Sequence, residues 1–441
     1  MIYIELIIVL LAIFIGARVG GIGLGIFGMI GLGILVFGFG LKPGKAPIDV
    51  MLMIVAVITA ASSLQAAGGL DYLVKVAEKI LRKNPSMITF LAPLVCYFFT
   101  LFSGTGHIAY SLLPIISEIA TDSKVRPERP LSISVIASQQ AITASPISAA
   151  TAALLSAELL GSKGITLSNI LMVCIPATLV GVIVGAIAAS FIGVPLEKDP
   201  EYQRRLREGL LEKENEHIKK MPPEETQKAQ ISVVIFLLGV LSIVLFGSID
   251  SMRPSFMVDG EIVKLGMPEI IEIIMMSVAG FILIFSRTDV SKAVKGSVFI
   301  AGMQAVIAIF GIAWMGDTFF KGNLSFFQEH IESIVTHYPF LFAIALFVMS
   351  ILLFSQASTV QTLYPLGIQL GIAPMALVAM FPAVNGYFFI PNYPTVVAAI
   401  NFDRTGSTRI GKYVLNHSFQ IPGFVATIVA IAVGYLIIMF M

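Results

Sequence analysis

Apolar residues recur along this chain in runs of roughly twenty, separated by short polar joints, and that rhythm predicts membrane-spanning helices. Spans are expected near residues 3–16, 22–40, 49–67 and 167–193, then near 231–248, 268–286, 296–316 and 419–440. Between 70 and 86 the pattern changes. Leu70, Leu73, Val74, Ala77, Ile80 and Leu81 share one helical face, lysines and an arginine lie elsewhere, and the segment stops at Pro85. That suits an amphipathic helix in the cytoplasmic interface.

Two runs do not fit a crossing. Residues 87–120 are too long for one span of about 20 residues and too short for two plus a turn. Their centre, Ser103-Gly-Thr-Gly-His107, is polar and costly in hydrocarbon unless it faces protein or a watery cavity. Lys75, Lys79, Arg82 and Lys83 precede the run, and Lys124, Arg126 and Arg129 follow it, so both flanks read as cytoplasmic. The run is therefore expected to be a re-entrant hairpin with its tip near the midplane. Residues 338–373 form a second such run, centred on Ser355-Gln-Ala-Ser-Thr359.

Two further runs are interrupted. Residues 131–157 are broken by Ser138-Gln-Gln140 and Thr143-Ala-Ser-Pro146, and residues 375–400 by Asn385-Gly386 and Ile390-Pro-Asn-Tyr-Pro-Thr395. Proline frees a backbone carbonyl that neighbouring hydroxyls can meet. Leu101-Phe-Ser matches Leu353-Phe-Ser, each followed by a polar tip and a proline, and Ser145-Pro146 matches Tyr393-Pro394 at nearly the same spacing. Each half, 1–193 and 231–441, then holds about five spans and one hairpin; five is odd, so the halves are expected in opposite orientation. Charge agrees. Segments 121–130, 194–230, 287–295 and 403–413 carry Lys and Arg inside, whereas 249–267 has Asp250, Asp259 and Glu261, with Glu269 at its border, against Arg253 and Lys264. The expected architecture is an all-α polytopic membrane protein of two inverted repeats, of the elevator type.

The composition, 57% hydrophobic and 12% charged, supports a membrane protein, and a net charge of +1 gives no bias toward nucleic acid. The first apolar run lacks a basic n-region and a cleavage site, so it is kept as a span. Residues 194–230 mix acids and bases around Pro222-Pro223 and read as a solvated cytoplasmic linker. Glycines at 21, 23, 25, 28, 31 and 33 suit close helix packing. Cys96 and Cys174 lie in apolar runs and show neither disulfide nor metal-ligand spacing, so no metal or cofactor is expected.

Two tips and two breaks meeting at the midplane would surround one cavity with helix N-termini and hydroxyls, which favour carboxylates. The candidate binding residues are Ser103, Gly104, Thr105, Gly106 and His107 at the first tip, and Ser355, Gln356, Ser358 and Thr359 at the second. Thr143, Ser145 and Ser148, then Asn392, Tyr393 and Thr395, come from the breaks. The plainer role for any single one is a back-bond to its own helix. Trp314 and Asp317 read as interfacial anchors. An enzyme is the rival class, but no His-Glu-x-x-His or Gly-x-Ser-x-Gly is present, and only Ser103 with His107 approaches a nucleophile–base pair.

The opening Glu5-Leu-Ile-Ile-Val-Leu-Leu-Ala-Ile-Phe-Ile-Gly-Ala-Arg18, Ala67-Gly-Gly-Leu-Asp-Tyr72 and Gly104-Thr-Gly-His107 resemble the Dcu family of anaerobic C4-dicarboxylate transporters. So do Ile142-Thr-Ala-Ser-Pro-Ile-Ser148, Gly311-Ile-Ala-Trp-Met315, Ser355-Gln-Ala357 and Phe402-Asp-Arg-Thr-Gly-Ser-Thr-Arg-Ile-Gly411. The resemblance spans the chain. It implies exchange of fumarate, malate or aspartate for succinate across the bacterial inner membrane in fumarate respiration, with a sensor kinase as a partner in this family. Gly104-Thr-Gly-His107 and Arg126-Pro-Glu-Arg-Pro130 lean toward its fumarate/succinate branch, whereas Ile351-Leu-Leu-Phe354 lacks that branch's lysine and leaves an aspartate importer open. A homodimer through the scaffold follows by analogy with other elevator carriers.

Overall fold

The computed structural model describes residues 1–441 except 157–158, 212–221, 259–260, 331–337, 339, 354, 392 and 412–415. Parts of the expected linker and of the second hairpin run, together with Asp259, Lys412 and Asn392, thus lie outside the described residues. Seven described helices are long and apolar enough to cross a membrane, and four shorter apolar ones accompany them.

The first part contains α1 (Ile2–Val19), α2 (Gly23–Gly33, extended by a π-helical turn to Gly38), α3 (Ile48–Ala66) and α4 (Gly69–Lys83). Next come α5 (Ile88–Ser103), α6 (Ala109–Asp122), α7 (Glu128–Ile142), α8 (Ala149–Leu155) and α9 (Leu167–Ser190). After α10 (Pro200–Arg207) and α11 (Pro223–Ser248), a β-hairpin of β1 (Ser255–Val258) and β2 (Glu261–Lys264) leads into α12 (Met267–Phe285). The chain continues with α13 (Val290–Lys295), α14 (Ser297–Gly322), α15 (Leu324–His330), α16 (Phe340–Leu353) and α17 (Gln356–Gln369). It closes with α18 (Pro374–Ala379), a 3-10 stretch at Phe381–Phe388, α19 (Pro394–Phe402) and α20 (Gln420–Ile438).

The long apolar helices pack in two groups. In one, α2 crosses α14 so closely that a Cβ on Gly25 would lie 2.2 Å from the Ile307 carbonyl oxygen, and one on Gly311 would meet the Gly25 backbone. Helices α1, α3, α11 and α12 pack around that crossing. In the other, α5 packs on α7, and α9 on α20, where Gly181 and Gly185 admit Ala426. One apolar cluster joins the first hairpin to the second half, uniting Leu112, Ile116 and Leu131 with Phe388, Val396 and Phe419.

Three expectations need correction. Helix α7 runs intact through Ser138-Gln-Gln140, so the break begins only at Thr143. Ser138 and Gln140 reach partners on other helices without interrupting their own. The charged segment is not wholly solvated either. Asp199 is 2% exposed and caps α10 by accepting from the Glu201 and Tyr202 N–H groups, while Arg126 binds its second oxygen at 2.5 Å. Finally, the 249–267 loop holds the β-hairpin, for which no strand was expected.

Candidate functional site

The first hairpin turns at Gly104, which caps α5 in the left-handed region at φ 70°. A Cβ there would also lie 2.9 Å from the Ile147 side chain and 3.0 Å from its carbonyl oxygen. Only glycine enters that conformation without strain and fits this space. The tip is pinned to α7 by Ser138, whose hydroxyl bonds Thr100 Oγ1 at 2.8 Å and donates to the Gly106 carbonyl at 3.4 Å. Ser103 Oγ donates to the Thr105 carbonyl at 3.1 Å.

The second tip is a helix start. Ser355 caps α17 by accepting from the Ser358 N–H at 3.2 Å, and Thr359 Oγ1 back-bonds to the Ser355 carbonyl at 2.8 Å. Gln356 donates to Asn385 Oδ1 at 3.0 Å and to the Tyr387 hydroxyl. Asn385 in turn donates to Gln140 Oε1 at 3.2 Å and to Thr143 Oγ1 at 3.4 Å, and Gln140 donates to Thr427 Oγ1 at 2.9 Å. One buried network therefore ties the second tip to the first break, the second break and α20.

A cavity of about 500 Å³ lies where these elements face the α2–α3–α14 group. Ser103, Gly104, Thr105 and Gly106 line it from one tip, Ser355, Gln356 and Ala357 from the other, and Tyr393, Pro394 and Thr395 from the second break. Gly21, Leu24, Ile58, Gly302 and Gln304 close the opposite wall. Among the described residues, none that lines it is Asp, Glu, Lys or Arg. What the cavity offers is dipolar. Helices α17 and α19 begin at its wall, each with first-turn N–H groups that have no partner within the helix and with a positive dipole end. Among the described residues no side chain caps α19, and the Thr395 hydroxyl is buried without a partner. Such an arrangement suits an anion.

The other candidate residues sit differently. Thr143, Ser145 and Ser148 are fully buried behind the cavity: Thr143 donates to the Gln140 carbonyl, Ser145 accepts from the Ile147 N–H, and Ser148 caps α8. Ser358 is buried one turn into α17, outside the lining. The His107 side chain and Asn392 lie outside the described residues. Sequence reasoning missed Tyr110, Gln139 and Tyr387, which line the cavity, and Asn385, which holds Gln356. In sequence Asn385 reads only as part of a helix break, and Gln139 sits in a polar triplet whose inward face no local pattern identifies.

Away from the cavity, Trp314 Nε1 donates to the Gly44 carbonyl at 2.8 Å. Asp317 accepts from the Lys45 N–H at 3.0 Å and from Lys321 at 2.8 Å. Both residues thus hold the loop between α2 and α3. In the loop between α6 and α7, Arg126 is 2% exposed between Glu128 and Asp199, each at 2.5 Å. Burial alone would lower the Arg126 pKa, but the two carboxylates outweigh it and raise it. Burial likewise works to raise Asp199, but the bonds from Arg126 and from the Tyr202 and Glu201 amides hold it below the usual carboxylate value.

The profile of the anaerobic C4-dicarboxylate membrane transporter family matches residues 1–441. The C4-dicarboxylate transporter DcuA of Escherichia coli strain K12 is 45% identical over 445 residues, covering 100% of both chains. The chain belongs to this family. The C4-dicarboxylate transporter DcuA of Wolinella succinogenes is 42% identical over 439 residues, covering 99% of each chain. The transporter DcuB of Escherichia coli strain CFT073 is 39% identical over 447 residues, covering 98% of this chain and 97% of its own. In fold, the chain is similar to the Neisseria gonorrhoeae MtrF structure, with a TM-score of 0.54 at 13% identity, covering 92% of this chain and 84% of that one. The expected family is borne out, and so is the expectation of a membrane transporter rather than an enzyme.

Proposed function

We propose that the chain exchanges C4 dicarboxylates, fumarate, malate or aspartate against succinate, across the bacterial inner membrane. The observation that carries this reading is the uncharged cavity shared by two tips and a broken helix. Helix N-termini and hydroxyls can hold a carboxylate at each end of a short dianion while leaving no fixed protein charge behind. In this reading residues 1–193 and 231–441 are inverted repeats around the site. Helices α5–α9 and α16–α20 form the moving unit, and α1–α3, α11, α12 and α14 form the scaffold.

Scaffold residues at the cavity come from the start of α2, the middle and second half of α3 and the first half of α14. By the charge bias these are cytoplasmic halves, beside Arg18 and Lys295. On the other side, Gly316 of α14 sits against Thr362 of α17, where a Cβ would come within 3.0 Å. Both points support an inward-facing state, from which an elevator-like shift would carry the dianion outward. An empty carrier, with its dipole ends unneutralised, crosses slowly, and exchange results.

The test is counterflow in proteoliposomes loaded with unlabelled succinate and given labelled fumarate outside. Uptake that needs internal succinate and is competed by other C4 dicarboxylates supports exchange. Uptake into empty vesicles driven by a sodium or proton gradient overturns it in favour of symport.

A further inference from the structure

We propose that Gln139 selects C4 dicarboxylates that carry a hydrogen-bond donor on the carbon beside a carboxylate, an ammonium or a hydroxyl, over those that carry none. The inference rests on the cavity being the dicarboxylate site. Gln139 lines that cavity from α7, is 3% exposed, and among the described residues has no partner for either Oε1 or Nε2. Its neighbours on the helix are satisfied: Ser138 by Thr100 and the first tip, Gln140 by Thr427 and Asn385. A buried amide with both ends unmatched is exceptional in a folded protein and points to a ligand that completes it.

The chemistry of the missing partner follows from the amide itself. Whichever way the group is turned, it presents N–H donors beside a carbonyl acceptor. A carboxylate only accepts, and the cavity already supplies donors for it in the starts of α17 and α19 and the Thr395 hydroxyl. The Gln139 carbonyl repels a carboxylate oxygen. It suits an N–H or O–H next to one, while the Gln139 N–H groups reach the adjoining carboxylate. Among the described residues no Asp or Glu lines the cavity to take up an ammonium group, so an amide carbonyl is the acceptor that meets it. An unsubstituted or unsaturated dianion leaves that carbonyl unmatched.

The test is proteoliposome counterflow with four probes, aspartate, malate, fumarate and succinate, comparing the native protein with Gln139→Met and Thr395→Val. Methionine keeps the length of the side chain and removes both polar atoms. Gln139→Met should raise KM for aspartate and malate by about tenfold, the loss of one hydrogen bond to a charged or polar group, and leave fumarate and succinate within about threefold. An equal effect on all four probes, or none, overturns the proposal, as does a native protein that accepts fumarate and succinate but rejects both substituted acids. Thr395→Val should raise KM for all four probes. If it changes none, the cavity reading itself fails, whatever Gln139 does. Should Gln139→Met not fold, Gln139→Glu serves instead, because its carboxylate pairs with an ammonium and repels a plain dianion. It should impair succinate and fumarate more than aspartate, and equal impairment overturns the proposal.

Discussion

Replacing Asn385 with leucine, a side chain of similar size, should expose how the second tip is held. Asn385 is 1% exposed and joins Gln356, Gln140 and Thr143. Without it, Gln140 Oε1 loses its donor inside the protein, which costs about 1–3 kcal/mol, and Gln356 keeps only Tyr387, a loss of about 1 kcal/mol. Asn385→Leu is therefore expected to destabilise by about 2–4 kcal/mol. Gln140→Leu alone strands the Thr427 hydroxyl, whereas the two Asn385 N–H groups still reach the Thr143 hydroxyl and the Pro382 carbonyl. The double variant removes both partners of the central bond, so neither is left unmatched. Its cost should fall short of the sum of the singles by about 1–2 kcal/mol. Denaturant unfolding in mixed micelles measures the cycle, with counterflow as a second readout, since Gln356 lines the cavity and KM should rise. Additivity within about 0.5 kcal/mol would refute the network as a coupled unit.

Gly104→Ala should weaken the first tip by about 1–2 kcal/mol from its φ of 70° alone, with the Ile147 contact adding to it, and thermal unfolding followed by size exclusion reads the loss. Asp199→Asn should destabilise by about 3 kcal/mol, because it leaves part of the buried Arg126 charge uncompensated, and protease susceptibility around α10 should rise with it. His417 supplies a pH dependence. Its Nδ1 accepts from the Phe419 N–H at 3.2 Å while Nε2 faces the Phe389 carbonyl at 3.1 Å, and burial lowers its pKa against the opposing effect of that carbonyl. The unfolded chain therefore binds a proton near pH 6.5 that the folded chain refuses. Stability is complete above that value and falls as pH drops below it toward the lower folded pKa. In His417→Gln this part of the acid sensitivity should vanish from melting curves taken between pH 7.5 and 5.5.

The tips were legible because Ser103-Gly-Thr-Gly and Ser355-Gln are polar islands in apolar runs, and hydrocarbon penalises such islands wherever they fall. The amphipathic α4 was legible for the same local reason. Partner choice was not. Arg126 meets Asp199 across 73 positions and Asn385 meets Gln140 across 245, and no periodicity carries that information. Thr143, Ser145 and Ser148 looked equal to Thr395 in sequence, yet the first three are consumed by nearby groups and caps while Thr395 is left open. Gln139 and Gln140 are adjacent and chemically identical. Only their helical direction separates one that faces the cavity from one that faces α20.

The central claim is that the substrate dianion occupies the cavity between the tips and the α2–α3–α14 wall. Both native cysteines, Cys96 and Cys174, are buried, so a cysteine placed at Ala305, on that wall, can be read against a quiet background. The measurement is the rate at which a small polar thiol reagent modifies Ala305→Cys in proteoliposomes, with and without succinate. The account predicts that succinate slows the reaction with a half-maximal concentration close to its KM for counterflow. An unchanged rate at saturating succinate, in vesicles that still exchange, would contradict it.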